Sequence, residues 1–303
     1  LSLHDALPIF TDLQVQQQFF ENFGLKSEIS NGLLIARGTD ASPYIYIAEQ
    51  SSEPAFVSVG FAAESEAILR HIAASDGVPV EANEMPGGGL IARLTDPDGF
   101  SVEVVANLAD SPLLTPASRS GLNDGVEKLR LGERVTFVDA DSLIKRLGHV
   151  VLMVTDFNET LEWYQARFGL LISDEIILDN EGKQETLGAF TRCNRGDEYV
   201  DHHTLFFIKA DHAAFNHAAF EVTNWDALMS SHYALLKAGH RHSFGVGKHI
   251  LGSQTFDYWK DPDGFTLEHF TDGDLLNESF GSQKRGLEDL LGTHWGPDGV
   301  PGQ

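Results

Sequence analysis

The feature that most constrains this chain is an internal repeat. The sequence DPDGFSVE at residues 96–103 recurs as DPDGFTLE at residues 261–268. Each Asp-Pro-Asp-Gly predicts a tight turn, because proline presets its own φ and glycine accepts a positive one, and each turn leads into an alternating strand. Two copies of one structural unit are therefore expected, which agrees with the length of 303 residues.

The second copy shows the order of elements most clearly. An apolar strand over 147–154 precedes Asp156, a plausible helix N-cap with Glu159 three residues later, and apolar residues then recur at helical intervals until Gly169. A second helix is predicted at 224–239. Further strands are predicted at 205–209, 218–222, 255–259 and 265–270. A strand followed by a helix and more strands, repeated, predicts the α+β class.

The first copy starts differently. A helix is predicted over 12–24, but no apolar strand is evident ahead of it, so its first strand is expected to be missing. Residues 3–9 resemble the translation of a sequencing adapter, so residues 1–9 are expected to be an artefactual extension; a natural N-terminal strand is the alternative. The expected organisation is then a first domain at 10–108 and a turn-rich linker at 109–146. A second domain follows at 147–272, and a tail at 273–303.

Composition and charge narrow the possible partners. Asp and Glu outnumber Lys and Arg by 45 to 21, a net charge of −24 at pH 7, so the surface repels nucleic-acid phosphates. No apolar run approaches the roughly 18 residues of a membrane span. The single cysteine, Cys193, cannot form an internal disulfide, which is typical of a reducing compartment. We expect a cytoplasmic protein with neither nucleic acid nor membrane as a partner.

Three residues of the second copy, His149, His217 and Glu268, are candidate metal ligands. Two histidines and one carboxylate form the facial triad of non-haem Fe(II) oxygenases, which leaves coordination positions open for substrate and dioxygen. A single histidine on an apolar strand is more often a core residue, so the spacing alone decides nothing. The first copy is an internal control: Ser58 occupies the position of His217, whereas Glu103 matches Glu268 without histidine partners. A structural need for His217 would have placed histidine in both copies.

Four segments of the chain carry a resemblance to a known family. LGHVVLMVTDFNETLEWYQARFGL, HHTLFFI, NHAAFEV and KHILGSQTFDYWKDPDGFTLEHF together resemble the type I extradiol ring-cleavage dioxygenases of the vicinal oxygen chelate superfamily. The likeness extends from Asp12 to about Thr271 and is strongest from Leu147 onward. It implies two domains of paired βαβββ modules, of which the N-terminal one is non-catalytic. It also implies Fe(II), or sometimes Mn(II), in the C-terminal domain.

The resemblance further implies roles for individual residues. These are metal ligation by His149, His217 and Glu268, acid/base catalysis by His203, and binding of the substrate oxygens by His249 and Tyr258. The alternative interpretations are an exposed histidine at a strand edge for His203 and a core aromatic for Tyr258. Gly252 departs from the family, because some members that cleave biphenyl diols have an acidic residue there, so detailed substrate preference is not carried over.

The expected function is therefore extradiol cleavage of a catechol-type ring with O2, in the catabolism of aromatic compounds, by a homo-oligomer. Two alternatives remain. A glyoxalase-like isomerase or lyase shares the fold but needs a fourth protein ligand and consumes no oxygen. A metal-free binding protein of the same superfamily lacks the set of two histidines and one glutamate and binds no iron.

Overall fold

A computed structural model describes residues 1–114, 121, 123–134, 144–180 and 182–299. The first half of the chain forms an eight-stranded sheet with two helices. Its elements are β1 (Ser2–Phe10), α1 (Leu13–Phe23), β2 (Lys26–Ser30), β3 (Leu33–Arg37), β4 (Tyr46–Gln50), β5 (Ala55–Ala62), α2 (Glu66–Asp76), β6 (Glu81–Ala82), β7 (Leu90–Thr95) and β8 (Ser101–Ala106).

Among its described residues, the second half forms a ten-stranded sheet, a separate two-stranded sheet and three helices. Its elements are β9 (Ile144–Val154), α3 (Phe157–Phe168), β10 (Leu171–Asn180), β11 (Lys183–Arg192), β12 (Val200–Asp201), β13 (Leu205–Lys209), β14 (Ala214–Val222), α4 (Trp225–Ala238), β15 (Arg241–His249), β16 (Thr255–Lys260), β17 (Thr266–Thr271), β18 (Leu275–Leu276), β19 (Gln283–Gly286), α5 (Leu287–Leu291) and β20 (Thr293–Trp295).

The strand order shows four βαβββ modules, two in each sheet. The first sheet runs β2-β3-β4-β1-β5-β8-β7-β6, and the second repeats this pattern as β10-β11-β13-β9-β14-β17-β16-β15, flanked by β19 and β20. In both sheets the first strands of two modules pair antiparallel at the centre. The expected α+β fold of paired modules is confirmed.

The helices α1, α3 and α4 begin and end where the sequence predicts. The N-cap residues are Asp12 for α1, Asp156 for α3 and Asn224 for α4. The side chain of each accepts a hydrogen bond from a backbone nitrogen in the first turn of its helix. Each helix ends at a glycine, respectively Gly24, Gly169 and Gly239. Local capping therefore determines these boundaries, whereas burial of one apolar face holds each helix against its sheet.

The expected loss of the first strand is wrong. Ser2–Phe10 forms β1 at the centre of the first sheet, parallel to β4 and antiparallel to β5. Ala6 and Phe10 are fully buried in the core. The strand escaped prediction because His4 and Asp5 occupy buried positions where a core strand normally has apolar residues. Residues 1–9, expected to be an extension outside the fold, are therefore part of the sheet.

The structure also describes parts of the linker and of the tail. The second half begins with β9 at Ile144, whereas the predicted domain boundary was at 147; other parts of the predicted linker, 115–120, 122 and 135–143, lie outside the described residues. The tail pairs with the second half through β18, β19 and β20. Within the described residues, no helix is long and apolar enough to cross a membrane.

The two repeated turns join the halves reciprocally. Asp98 accepts hydrogen bonds from the backbone nitrogen and the hydroxyl of Thr155, at 2.9 and 2.6 Å, just before α3. Asp263 accepts the corresponding pair from Thr11, at 2.7 and 2.6 Å, just before α1. The Asp-Pro-Asp-Gly segments are thus turns, as the sequence predicts, and each also anchors the first helix of the other half.

Candidate metal centre

The register of three adjacent strands brings the candidate ligands together. On β14, Ala219 pairs with His149 of β9 on one side and with Glu268 of β17 on the other. His217 lies two residues before Ala219 and therefore points to the same face of the sheet, because side chains alternate along a strand. Residues that are far apart in sequence thus converge at the centre of the second sheet.

The ligand atoms lie close together in a buried site. Nε2 of His149 and Nε2 of His217 are 3.2 and 3.3 Å from Oε2 of Glu268. Neither contact has hydrogen-bond geometry, so both carboxylate oxygens and Nε2 of His217 are buried without a hydrogen-bond partner among the described residues. Burying such groups unpaired is costly. A divalent cation held between them would satisfy all three residues, so the donor set fits a metal ion.

Asn216 orients one of these histidines. A bulge in β14 between Phe215 and His217 interrupts the pairing with β9, and the amide oxygen of Asn216 lies 2.8 Å from Nδ1 of His217. An amide oxygen only accepts, so Nδ1 of His217 carries the proton and Nε2 keeps its lone pair for a metal. The sequence analysis did not identify Asn216, because its role depends on the bulge.

Burial sets the protonation states around the site. Burial raises the pKa of Glu268, but His149 and His217 outweigh this effect and hold that pKa well below its usual range. Burial lowers the pKa of His217 and, to about 4, that of His249. Burial and neighbouring histidines also lower the pKa of His203 well below its usual value. Near neutral pH the carboxylate of Glu268 therefore lies beside neutral imidazoles of His203, His217 and His249. Carboxylate and neutral imidazole are the forms that bind metal.

The residues that the resemblance implies for acid/base catalysis and for substrate binding lie in and around the same buried site. The imidazole of His203 lies against that of His149, with ring centroids 4.0 Å apart. The hydroxyl of Tyr258 is 3.0 Å from Nε2 of His249. Burial and the charge of Glu268 raise the pKa of Tyr258 well above 10, so the hydroxyl stays protonated. His203 is only 3% exposed, which rules out the alternative of an exposed histidine at a strand edge.

A cavity of about 400 Å³ opens beside these residues, a size typical of sites for small molecules. His149, His203, His217, His249 and Tyr258 line one part of it. The lining also includes the apolar residues Val151, Phe190, Phe206, Ile208 and Leu251. The cavity thus offers polar groups at the candidate metal centre and an apolar wall for a hydrophobic ring.

The first domain lacks this ligand set. The strand registers place Asp5, Ser58 and Glu103 where the second domain has its three candidate ligands. Arg93, on the strand next to Glu103, donates a hydrogen bond of 2.9 Å to it. A guanidinium thus neutralises this carboxylate, and no imidazole occupies any of the three positions. The comparison between copies used in the sequence analysis matched the correct positions for Ser58 and Glu103.

A second group of ligand-type side chains lies near helix α4. Asp257 accepts hydrogen bonds from Nδ1 of His232 at 3.1 Å, Nε2 of His242 at 2.9 Å and Nε1 of Trp259 at 2.6 Å. Because its carboxylate is fully satisfied by these donors, we interpret the group as a hydrogen-bonded cluster within the fold. The sequence analysis assigned no role to these histidines, since no local pattern marks a contact between α4, β15 and β16.

Comparisons with known proteins agree with this geometry. Residues 146–269 match the model of the Glyoxalase/Bleomycin resistance protein/Dioxygenase superfamily. This match covers almost all of the second domain and agrees with the resemblance. Metapyrocatechase 2 of Cupriavidus necator is 29% identical over 300 residues, which cover 97% of this chain and 88% of the relative.

Solved structures share the fold over nearly the whole chain. The Mn(II)-bound glyoxalase from Novosphingobium aromaticivorans superposes with a TM-score of 0.78 at 19% identity, covering 98% of this chain and 92% of the other. The 2,3-dioxygenase LapB from Pseudomonas sp. KL28 gives a TM-score of 0.76 at 16% identity, covering 95% and 98%. The arrangement of two paired-module domains is therefore common to these proteins and this chain.

Proposed function

We propose that this protein is an extradiol dioxygenase that cleaves the ring of a catechol-type diol with O2, in the catabolism of aromatic compounds. The convergence of His149, His217 and Glu268 beside a cavity with an apolar wall carries the proposal. The likeness to Metapyrocatechase 2 over almost the full chain supports it. In this reaction both oxygen atoms of O2 enter one aromatic substrate.

Fe(II) is the ion that we propose for the site. Two imidazole nitrogens and one carboxylate oxygen on one side of the ion are typical of non-haem Fe(II) oxygenases. Mn(II), which is bound in the glyoxalase of similar fold, is the alternative ion. When bound, the ion would supply Lewis-acid chemistry and open positions for the diol and O2.

The chain's own residues would bind and orient the diol. The hydroxyl of Tyr258 and the imidazole of His249, which are 3.0 Å apart and line the cavity, would contact the substrate oxygens. Phe190 and Leu251, in the apolar wall, would pack against the ring and exclude water from it. His203 would accept a proton from a substrate hydroxyl and return one later, because a neutral imidazole is both a donor and an acceptor.

Two other functions are less consistent with the site. A glyoxalase-like isomerase needs a fourth protein ligand, but within the part of the chain that the structure describes only His149, His217 and Glu268 bring ligand atoms together here. A metal-free binding protein has no use for a buried carboxylate between two imidazoles. Oxygen consumption separates the dioxygenase from the isomerase, and iron content separates it from the binding protein.

The decisive experiment is anaerobic loading with Fe(II), followed by a panel of catechols under air. We expect oxygen uptake together with the yellow colour of ring-fission products for at least one diol. Stoichiometric iron binding without oxygen uptake on any catechol would contradict the proposal.

We also propose that the enzyme is a homo-oligomer located in the cytoplasm. The only cysteine, Cys193, is buried with a free thiol, which suits a reducing compartment. Light scattering of the purified protein measures the number of subunits, and fractionation of producing cells tests the location. A monomer, or a protein recovered outside the cytoplasm, would contradict the respective part.

A further inference from the structure

A chain of buried contacts extends from His203 away from the cavity. Nδ1 of His203 lies 3.1 Å from Nδ1 of His202, and Nε2 of His202 lies 2.7 Å from Oδ2 of Asp174. All three residues are at most 5% exposed. The sequence analysis assigned no role to His202 and did not consider Asp174, which precedes it in the chain by 28 residues.

The rest of the fold holds this chain of contacts in place. The backbone nitrogen of His202 donates to the carbonyl oxygen of Asp274 at 2.9 Å. The hydroxyl of Ser173 donates to the carbonyl oxygen of His202 at 2.6 Å. The guanidinium of Arg285 lies 3.5 Å from the second oxygen of Asp174, so a positive charge faces this carboxylate. A carboxylate held in this way is an acceptor only.

The positions of the protons follow from these contacts. Because Asp174 can only accept, Nε2 of His202 carries a proton, and in the neutral imidazole Nδ1 of His202 is then an acceptor. The short contact between the two Nδ1 atoms requires a proton between them, which must come from His203. With its single proton on Nδ1, a neutral His203 has a lone pair on Nε2.

We propose that Asp174 and His202 are positioning residues that set the tautomer of His203, so that Nε2 of His203 is the proton acceptor available to the cavity. The role of this nitrogen in catalysis rests on the proposed function. The tautomer of His203 does not, because it is a property of the protein without substrate. His203 lines the cavity, and its Nε2 makes no hydrogen bond to the described residues.

The arrangement also gives an accepted proton a route. When the O–H bond of a substrate hydroxyl breaks, Nε2 of His203 gains the proton and the electron pair stays on the oxygen. The proton on Nδ1 of His203 can then pass to Nδ1 of His202. The resulting imidazolium of His202 lies against the carboxylate of Asp174, which stabilises its charge. Reversal of these transfers returns the proton to the substrate.

The first experiment measures the tautomer in metal-free protein. Long-range proton–nitrogen correlation spectra of protein labelled with ¹⁵N-histidine distinguish a protonated from an unprotonated ring nitrogen. The signals of His203 are identified by their absence in His203→Phe. We expect Nδ1 of His203 to be protonated and Nε2 to be unprotonated. A protonated Nε2 in the neutral ring would overturn the proposal whatever the activity of the enzyme.

The second experiment changes Asp174 to asparagine. The amide group of Asn can donate to Nε2 of His202, which reverses the donor and acceptor roles along both imidazoles. We expect the kcat of Asp174→Asn to fall about 10²-fold, a typical contribution of general acid/base catalysis, while KM and iron content change by less than about twofold. In labelled metal-free Asp174→Asn, the proton of His203 should move to Nε2.

The matched control is Asp211→Asn, which removes the same charge from an exposed carboxylate that contacts His212. It should keep the wild-type kcat. An Asp174→Asn enzyme with wild-type kcat would overturn the inference. By contrast, a wild-type protein that binds iron but cleaves no diol would contradict the proposed function, and the spectra would still decide the tautomer.

Discussion

Gly252 lies directly against the imidazole of His202: a Cβ atom at this position would be 3.1 Å from Nδ1 of His202. Gly252 also has a φ of +74°, a conformation that other residues adopt only with strain. In the family that the chain resembles, some members have an acidic residue at this position. In this chain the position lies next to His202 and His203.

We expect Gly252→Ala to displace His202 and to slow turnover, because the contact between His202 and His203 would lengthen. Gly239→Ala is the matched control, since Gly239 has a φ of +81° and nothing near its Cβ position. Both variants should lose about 1–2 kcal/mol of stability from backbone strain, but only Gly252→Ala should lose kcat. Equal kcat values in both variants would show that the contact with His202 does not matter.

Glu268→Gln should abolish tight binding of the metal. The neutral amide of glutamine cannot supply the negative charge that the carboxylate of Glu268 brings to the ligand set. Glu103→Gln is the control, because Glu103 occupies the corresponding position of the first domain and binds Arg93 instead. Metal analysis after anaerobic loading should show iron in wild type and Glu103→Gln and little in Glu268→Gln. Equal iron in all three proteins would refute this assignment of the centre.

His203→Phe should retain iron and turn over slowly. His203 is absent from the group of ligand atoms that converge on Glu268, so its loss leaves the candidate ligands in place. The phenyl ring can fill the space beside His149 but cannot accept a proton. We expect kcat to fall by roughly 10²–10⁴-fold, measured by oxygen uptake at saturating diol. Unchanged turnover would contradict the acid/base role.

The hydrogen bond between His232 and Asp257 should make stability depend on pH. That bond raises the pKa of His232 although burial lowers it, so the folded-state value lies above the unfolded value of about 6.5. The stabilisation is therefore complete below that pH and is lost as pH rises through the folded-state pKa.

Urea unfolding at about pH 5.5 and about pH 9 checks this dependence. The stability difference between wild type and His232→Gln should be larger at the lower pH. In an Asp257→Asn background the same substitution should have no such dependence, because the carboxylate that holds the charged imidazole is gone. A difference that stays constant between the two pH values in the wild-type background would count against the ion pair.

Much of the architecture could be predicted because its signals are local. The caps Asp156 and Asn224 mark helix starts through bonds to the next few residues. The repeated Asp-Pro-Asp-Gly turns reveal two copies, and comparison between the copies singles out His217 as a residue that the scaffold does not need. The strand β1 was missed because His4 and Asp5 interrupt the apolar pattern on which prediction depends.

The sequence by itself therefore determined the capped helices, the repetition of the unit and the residue types of the candidate centre. Only the tertiary structure decided which side chains meet. The pairing of Ala219 with both neighbouring strands brings His149 to Glu268, and the contacts from Asp174 through His202 to His203 join different parts of one module. Such contacts depend on strand register and on packing, which are set only when distant segments of the chain pair in one sheet. The local spacing of residues in the sequence does not encode them.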